Sequence, residues 1–274
     1  IKMKIIHLSD IHIHSEPILE QNPIERFSLA LDHIKNNHVN ADMLIITGDI
    51  SHQGDVASYK KFNEIFTKAN LPNHLNPKLL IGNHDDREIF KNYFSKTPTD
   101  KNGFVQYDME INNKRFLFLD TIEKNSHAGH YCGKRQLWLR EKLEESLEKK
   151  QHVYIFMHHN PFPLVQLKSD LIGLVDRDQF RSIIINFSNI IKHIFFGHQH
   201  ITVSGNYLGI PFSSPRSINH PLVPNFSNEY RLGSANTDPS YNIVLLNDDS
   251  LIIHNEDFLK TNINWFETTT PGSL

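Results

Sequence analysis

Cys132 is the only cysteine in this 274-residue chain. No internal disulfide can form, the composition fits a reducing compartment, and the lone thiol is expected to be inert. Long apolar runs are also missing. The first, Ile5-Ile6-His7-Leu8, is far too short for a secretory or membrane-crossing segment, so a cytoplasmic protein with no membrane partner is expected. Basic charge is not in excess: 28 Lys and Arg stand against 31 Asp and Glu, a net of −3. No field therefore advertises nucleic acid or an acidic membrane, and no basic stripe interleaved with aromatics points to a nuclease. There are no internal repeats and no low-complexity tracts. The 39% apolar and 22% charged residues are those of a globular protein. The length suits one large α/β domain, or a domain with a small appendage.

Histidine is what the chain has in excess: 18 residues, several beside Asp, Asn or Gly where apolar runs stop. The stretch Leu79-Leu80-Ile81-Gly82-Asn83-His84-Asp85-Asp86-Arg87 reads as a buried strand, a glycine turn and a polar cluster opening a helix. Open α/β sheets place their ligands at such strand C-termini. Alone, the cluster also reads as turn and capping residues. Four further strand ends argue against that. Lys4 to Ser9 runs into Asp10-Ile11-His12, where strand alternation would put Asp10 and His12 on one side. Asp42 to Thr47, apolar enough to be buried on both faces, ends in Gly48-Asp49. Val153 to Met157 ends in His158-His159-Asn160-Pro161, and His193 to Phe196 in Gly197-His198-Gln199-His200.

The intervening segments read as packing. A helix starts at Pro23 and carries Ile24, Phe27, Leu31 and Ile34 at helical spacing. A second presents Val56, Tyr59, Phe62, Phe66 and Ala69, and a later one Trp138, Leu139, Leu143 and Leu147. Phe104 to Glu110 and Lys114 to Leu119 form a hairpin about Asn112-Asn113. Phe162 to Val175 is expected to wall the site, Ser213 to Asn228 to face substrate or a second subunit, and Thr268 to Leu274 to fray. His14 reads as a solvent or supporting residue, and His52 as an exposed loop residue.

The ordered set Asp-x-His, Gly-Asp, Gly-Asn-His-Asp, His-His and Gly-His-x-His resembles the calcineurin-like metallophosphoesterase superfamily, from Asp10 to His200. Leu119-Asp120-Thr121, Gln136-Leu137-Trp138-Leu139 and Met157-His158-His159-Asn160-Pro161 are similar to class III cyclic nucleotide phosphodiesterases and bacterial glycerophosphodiesterases. Those branches usually carry two prolines after the His pair, where this chain has Asn160-Pro161. The resemblance implies an α/β fold, a four-layer αββα sandwich, with a catalytic core over 1–206. The segment 207–274 then supplies a substrate-facing loop and a small β-rich C-terminal extension.

The resemblance also implies two divalent metal ions. Asp10, His12, Asp49 and His200 would hold one; Asp49, Asn83, His158 and His198 the other, with Asp49 bridging and His159 as an alternative to His158. Mixed carboxylate, amide and imidazole donors suit Mn, Fe or Zn. Such a pair lowers the pKa of a bound water from about 15.7 to about 7, on the order of 12 kcal/mol of nucleophile activation. His84 would assist the leaving oxygen, and Asp85 either orients His84 or caps the next helix. Asn83, His84 and His220 would touch substrate, although His220 also reads as an exposed loop residue. Arg87 and Arg216 are the arginines near the motifs, each a phosphate clamp, a surface residue or an ion-pair partner (of Asp85 or Asp86). The expected activity is hydrolysis of a small phosphodiester, 3',5'-cyclic nucleotides first and glycerophosphodiesters second. A phosphomonoesterase on the same core and a non-catalytic scaffold are the competing readings. An exposed β-rich edge after Asn206 suggests a homodimer.

Overall fold

The computed structural model describes residues 2–227, 229–261 and 263–265; the tail 268–274, expected to fray, lies outside them. In chain order the elements are β1 (Met3–Leu8), α1 (Pro23–Asn37), β2 (Met43–Thr47), α2 (Val56–Ala69), β3 (Lys78–Leu80), α3 (Arg87–Tyr93), β4 (Tyr107–Ile111), β5 (Lys114–Leu119), α4 (Gly133–Glu148) and β6 (His152–Met157). Then come α5 (Leu167–Ile172), α6 (Arg177–Ile184), β7 (Ile191–Phe195), β8 (Val203–Tyr207), β9 (Ile210–Ser214), β10 (Leu222–Val223), β11 (Gly233–Ser234), β12 (Ser240–Leu246) and β13 (Leu251–Asp257). Among the described residues no helix is long and apolar enough to cross a membrane.

The strands form two packed sheets, ordered β13-β12-β1-β2-β3 and β4-β5-β6-β7-β9-β8, with β10-β11 as a separate small hairpin. Within them β1, β2 and β3 run parallel, as do β5, β6, β7 and β9, so both sheets send their C-terminal strand ends to one edge. The chain closes the first sheet with its last strands: β12 pairs antiparallel with β1, from Met3↔Leu246 to His7↔Asn242. The hairpin at Asn112-Asn113 adds β4 antiparallel to β5 at one edge of the second sheet, and β8 pairs antiparallel with β9 at the other.

Three apolar layers hold this together, giving the αββα sandwich. Phe27, Leu31, Ile34, Tyr59, Phe62 and Phe90 cover the outer face of the first sheet. Leu139, Leu143, Phe180 and Ile184 cover the second. Between the sheets, Ile5, Met43, Ile45 and Leu80 meet Phe116, Phe118, Phe156 and Phe195. Phe156 stacks there on Phe195 with ring centroids 4.5 Å apart. This double burial is why β2 is buried at every position and apolar from Met43 to Ile46. Asn22 caps α1 by accepting from the Ile24 and Glu25 amides at 3.0 and 3.2 Å, with Pro23 at the first helical position. Two residues read as packed are not: Val56 is 55% exposed at the start of α2 and Leu147 44% exposed at the end of α4, where the helices leave their sheets.

Two histidines sit in the buried region between the sheets. His7 Nε2 meets Thr47 Oγ1 at 2.9 Å and His193 Nε2 meets Ser213 Oγ at 2.9 Å, while each Nδ1 is buried without a partner. Burial pushes both imidazoles down to about 3, so they are neutral in the folded protein. With the folded value below the unfolded value of about 6.5, the unfolded chain takes up protons first. Stability is then intact above pH ~6.5 and falls as the pH drops towards 3, by up to about 1.4 kcal/mol per pH unit for each histidine. Urea unfolding between pH 7.5 and 4 should show this decline, and His193→Gln should flatten it. Parallel curves for the two proteins would contradict it.

Candidate active site

The parallel strand ends all deliver polar residues to the shared edge, by a backbone device the sequence did not announce. Asp10, His12, Asp49, His198 and His200 all adopt left-handed φ, between 51° and 67°. Such a conformation costs a non-glycine residue roughly 1–2 kcal/mol and clusters at functional sites. Asp10 and His12 therefore converge through tight turns, not through the alternation of an extended strand, and His198 and His200 do the same. Backbone bonds from Asp10 N to Gly48 O (3.1 Å) and His12 N to Asp49 O (2.8 Å) lock the first turn to the second. Gly82 is needed for close approach, not for turning: a Cβ there would lie 2.2 Å from Asp49 Oδ1.

Asp49 sits at the centre. Its Oδ2 lies 3.4 Å from His12 Nε2 and 3.4 Å from His158 Nε2, while Oδ1 accepts the His84 amide at 2.8 Å. Asp10 Oδ1 is 3.3 Å from His200 Nε2 and 4.0 Å from His158 Nε2. His12 Nε2 and His200 Nε2 approach to 3.1 Å, and His158 Nε2 lies 3.1 Å from Asn83 Oδ1. The ligand-type atoms of Asp10, His12, Asp49 and His200 all fall within 4.8 Å of one another. His198 is adjacent, its ring centroid 5.0 Å from that of His158. Both aspartates and His12, His158, His198 and His200 are buried.

These donors fit cations. His158 Nδ1 donates to Thr47 O at 2.8 Å, His200 Nδ1 to His220 O at 3.0 Å, and His198 Nε2 to Ile172 O at 2.9 Å. Each bond fixes a tautomer and leaves the other nitrogen as a lone pair. His158 Nε2 then faces carboxylate and amide oxygens with acceptor against acceptor, which only a proton or a metal ion relieves. Burial lowers the His158 pKa, but Asp49, Asp10 and the Thr47 carbonyl outweigh it and raise the imidazole to about 9. Burial would likewise raise Asp49, yet His158, His84 and His12 hold its carboxyl well below the usual range. His12 and His198 are pushed down chiefly by burial, His198 to about 3, and so present neutral ligand nitrogens. With no thiolate present, the set suits an ion that accepts oxygen and imidazole together.

Several expected roles change. Asp85 makes no hydrogen bond to His84 and caps no helix. It accepts from the amides of Gly82 (2.9 Å), Ser51 (3.0 Å) and Ile50 (3.2 Å) and from Tyr59 OH (3.1 Å), tying the β2 and β3 loops together. Burial and the Asp49 charge push its carboxyl up to about 6, against those amides. The cap of α3 is Asp86, which accepts from the Glu88 and Ile89 amides at 2.9 Å. Arg87 is neither a clamp nor a partner of Asp85 or Asp86: it forms a forked pair with buried Asp120 at 2.7 and 2.9 Å. Arg216 pairs with Asp257. His220 is 9% exposed rather than a surface residue, and its carbonyl orients His200.

His52, read as an exposed loop residue, is half-buried and adjoins two site residues. Its Nδ1 is 3.3 Å from His12 Nδ1, its carbonyl accepts from His84 Nδ1 at 2.9 Å, and its ring stacks on His84 at 4.9 Å. His127 accepts from Asn83 Nδ2 at 3.0 Å. Neither lies in a strand-end motif, and no pattern in the sequence singles them out. Asn160, in the place of a proline, accepts from Gln199 Nε2 at 2.6 Å and so joins the β6 and β7 loops.

The fold is shared with a dimetal phosphatase of Danio rerio (TM-score 0.72, 13% identity, 94% of this chain and 97% of that one). It is also shared with a purple acid phosphatase from yellow lupin, Lupinus luteus (TM-score 0.63, 12% identity, 99% of this chain and 57% of that one). At such identities the likeness defines the class of fold, the metallophosphoesterase sandwich, and nothing finer. Sequence is more specific. The calcineurin-like phosphoesterase model matches residues 3–202, and the chain belongs to that family. A protein named probable cyclic nucleotide phosphodiesterase from Rhodopseudomonas palustris is 29% identical, over 94% of this chain and 93% of its own length. One named probable glycerophosphodiester phosphodiesterase, from Arcobacter nitrofigilis, is 28% identical over 72% of each.

The geometry makes Asp85 a strut. Asp85→Ala leaves three buried amides and the Tyr59 hydroxyl without their acceptor, and should lower unfolding stability in urea by about 3 kcal/mol or more. Full stability with lost turnover would return Asp85 to the chemistry.

Proposed function

We propose that the chain is a binuclear metal-dependent phosphodiesterase acting on small phosphodiesters, 3',5'-cyclic nucleotides first. The observation that carries this is the Asp49 carboxylate set between two imidazole groups at 3.4 Å on each side. In this reading Asp10, His12, Asp49 and His200 hold one ion, and Asp49, Asn83, His158 and His198 the other. His158 is favoured over His159 because its Nε2 faces Asn83 and Asp49, whereas His159 Nδ1 meets Thr121 Oγ1 at 2.7 Å. The ions are Mn, Fe or Zn on donor type, and when bound they supply Lewis acidity to the phosphoryl group and a water of lowered pKa.

The protein's own groups do the rest. His84 is held with its Nδ1 proton on the His52 carbonyl and its amide on Asp49, so Nε2 is the atom that can give a proton to the leaving oxygen. Asn83 is steadied by His127. The two arginines near the motifs are not free for a monoester: Arg87 and Arg216 are committed to Asp120 and Asp257, so neither guanidinium is available to grip a dianionic terminal phosphate, which favours a diester. Names of relatives agree with either a cyclic nucleotide or a glycerophosphodiester, and the second is kept as the alternative substrate.

With Mn²⁺ present, kcat/KM on a 3',5'-cyclic nucleotide should exceed that on the nucleoside monophosphate it yields. Preference for the monoester would contradict the reading. His84→Ala should keep its metals and lose about 10²–10⁴-fold in kcat with a poor leaving group. Loss should be smaller with a nitrophenyl leaving group, which needs little protonation; an equal loss on both would remove His84 as the acid.

A further inference from the structure

The cavity over the histidine cluster has a volume of about 440 Å³, within the range of small-ligand sites. Much of its wall does not suit phosphate chemistry. Leu19, from the loop before α1, Ile172 of α5, Leu222 of β10 and Leu232 before β11 all line it. Leu19 and Leu232 are about half exposed, at 53% and 48%, so aliphatic surface stands in water at the mouth of a polar site. Lys168 of α5 lines the same cavity and has no ion-pair partner among the described residues.

We infer that these side chains form a slot for the nucleobase of the substrate, with Lys168 donating to an acceptor atom on the ring. This rests on the phosphodiesterase reading above and deepens it. The alternative, a glycerophosphodiester with a choline or ethanolamine head group, brings hydroxyls and a cation. Aliphatic walls leave hydroxyls unpaired, and Lys168 repels a cation. No Phe, Tyr or Trp lines the described cavity to cage an ammonium, and its one acid, Asp49, is committed to the histidine cluster. A flat, uncharged heterocycle with ring nitrogens matches all three features.

The slot is also placed relative to the reacting phosphorus. The carbonyl of Ile172 accepts from the His198 ring at 2.9 Å, and the amide of Leu222 donates to the His200 carbonyl at 3.1 Å. A further bond, Asn225 N to Gln166 Oε1 at 3.0 Å, ties the hairpin segment to the start of α5. Two walls are thus hinged on two of the proposed ligands, so a base in the slot fixes the position of its own phosphate, which is how remote binding energy serves catalysis.

The test compares 3',5'-cyclic AMP with the cyclic phosphate of 1-O-methylribose, which has the same reacting group and no base. The unmodified enzyme should show a KM about tenfold or more lower for cyclic AMP, the worth of burying one or two aliphatic contacts. Leu19→Ser and Leu232→Ser, at the two wall residues that make no bond to a proposed ligand, should raise the cyclic AMP KM by about tenfold, change kcat by less than about threefold, and leave the base-free compound unaffected. Equal KM values for the two compounds in the unmodified enzyme would overturn the slot, and that comparison does not depend on any variant folding. Hydrolysis of glycerophosphodiesters without either cyclic phosphate would instead overturn the cyclic nucleotide reading itself.

Discussion

The carboxylate of Asp49 is the constraint on which the rest depends. It follows β2 in the first sheet, yet its Oδ2 is equally distant from His12, on its own sheet, and His158, on the other. To reach that position the chain adopts left-handed φ at Asp49, sets Gly48 before it at φ 101°, and brings Gly82 so close that no side chain fits. The sandwich supplies the frame: two sheets share a buried aromatic layer, so the ends of β1, β2, β3, β6 and β7 are held at fixed separation. A cluster of buried carboxylates and imidazoles costs folding energy unless protons or cations balance its charge. The struts around it, Asp85 above all, hold that unfavourable arrangement in place.

The same struts explain which substitutions would mislead. Asp85 follows the motif pair Asn83-His84 and looks catalytic in a line of text, but its four hydrogen bonds are to backbone amides and a tyrosine. His52 looks incidental, yet it touches both His12 and His84. A motif records which residue types arrive at a strand end. It does not record which of them face inward to the loops and which face the cavity.

Much was legible in the sequence for one physical reason: parallel strands buried on both faces are near-continuous apolar runs, with few polar residues such as His7 and His193 inside them, and polar clusters gather where they stop. That rule drew attention to the strand ends at Asp10, Asp49, Asn83, His158 and His198; the sandwich was implied by the resemblance those ordered motifs carry. What escaped notice came from contacts between segments distant in the chain. Arg87 meets Asp120 across 33 positions, and His52 meets His12 across 40. The left-handed turns escaped too, because glycine, not Asp or His, is the residue expected at positive φ. Val56 and Leu147 fitted the helical period but lie at helix ends beyond the reach of the sheet.

In the proposed site Asp49 serves both metal positions, and the metal content of purified variants tests that most directly. The unmodified chain should carry two ions, His200→Ala should lose one of them, and Asp49→Ala should lose both while remaining folded by circular dichroism. Two ions retained in folded Asp49→Ala would contradict the shared-carboxylate site.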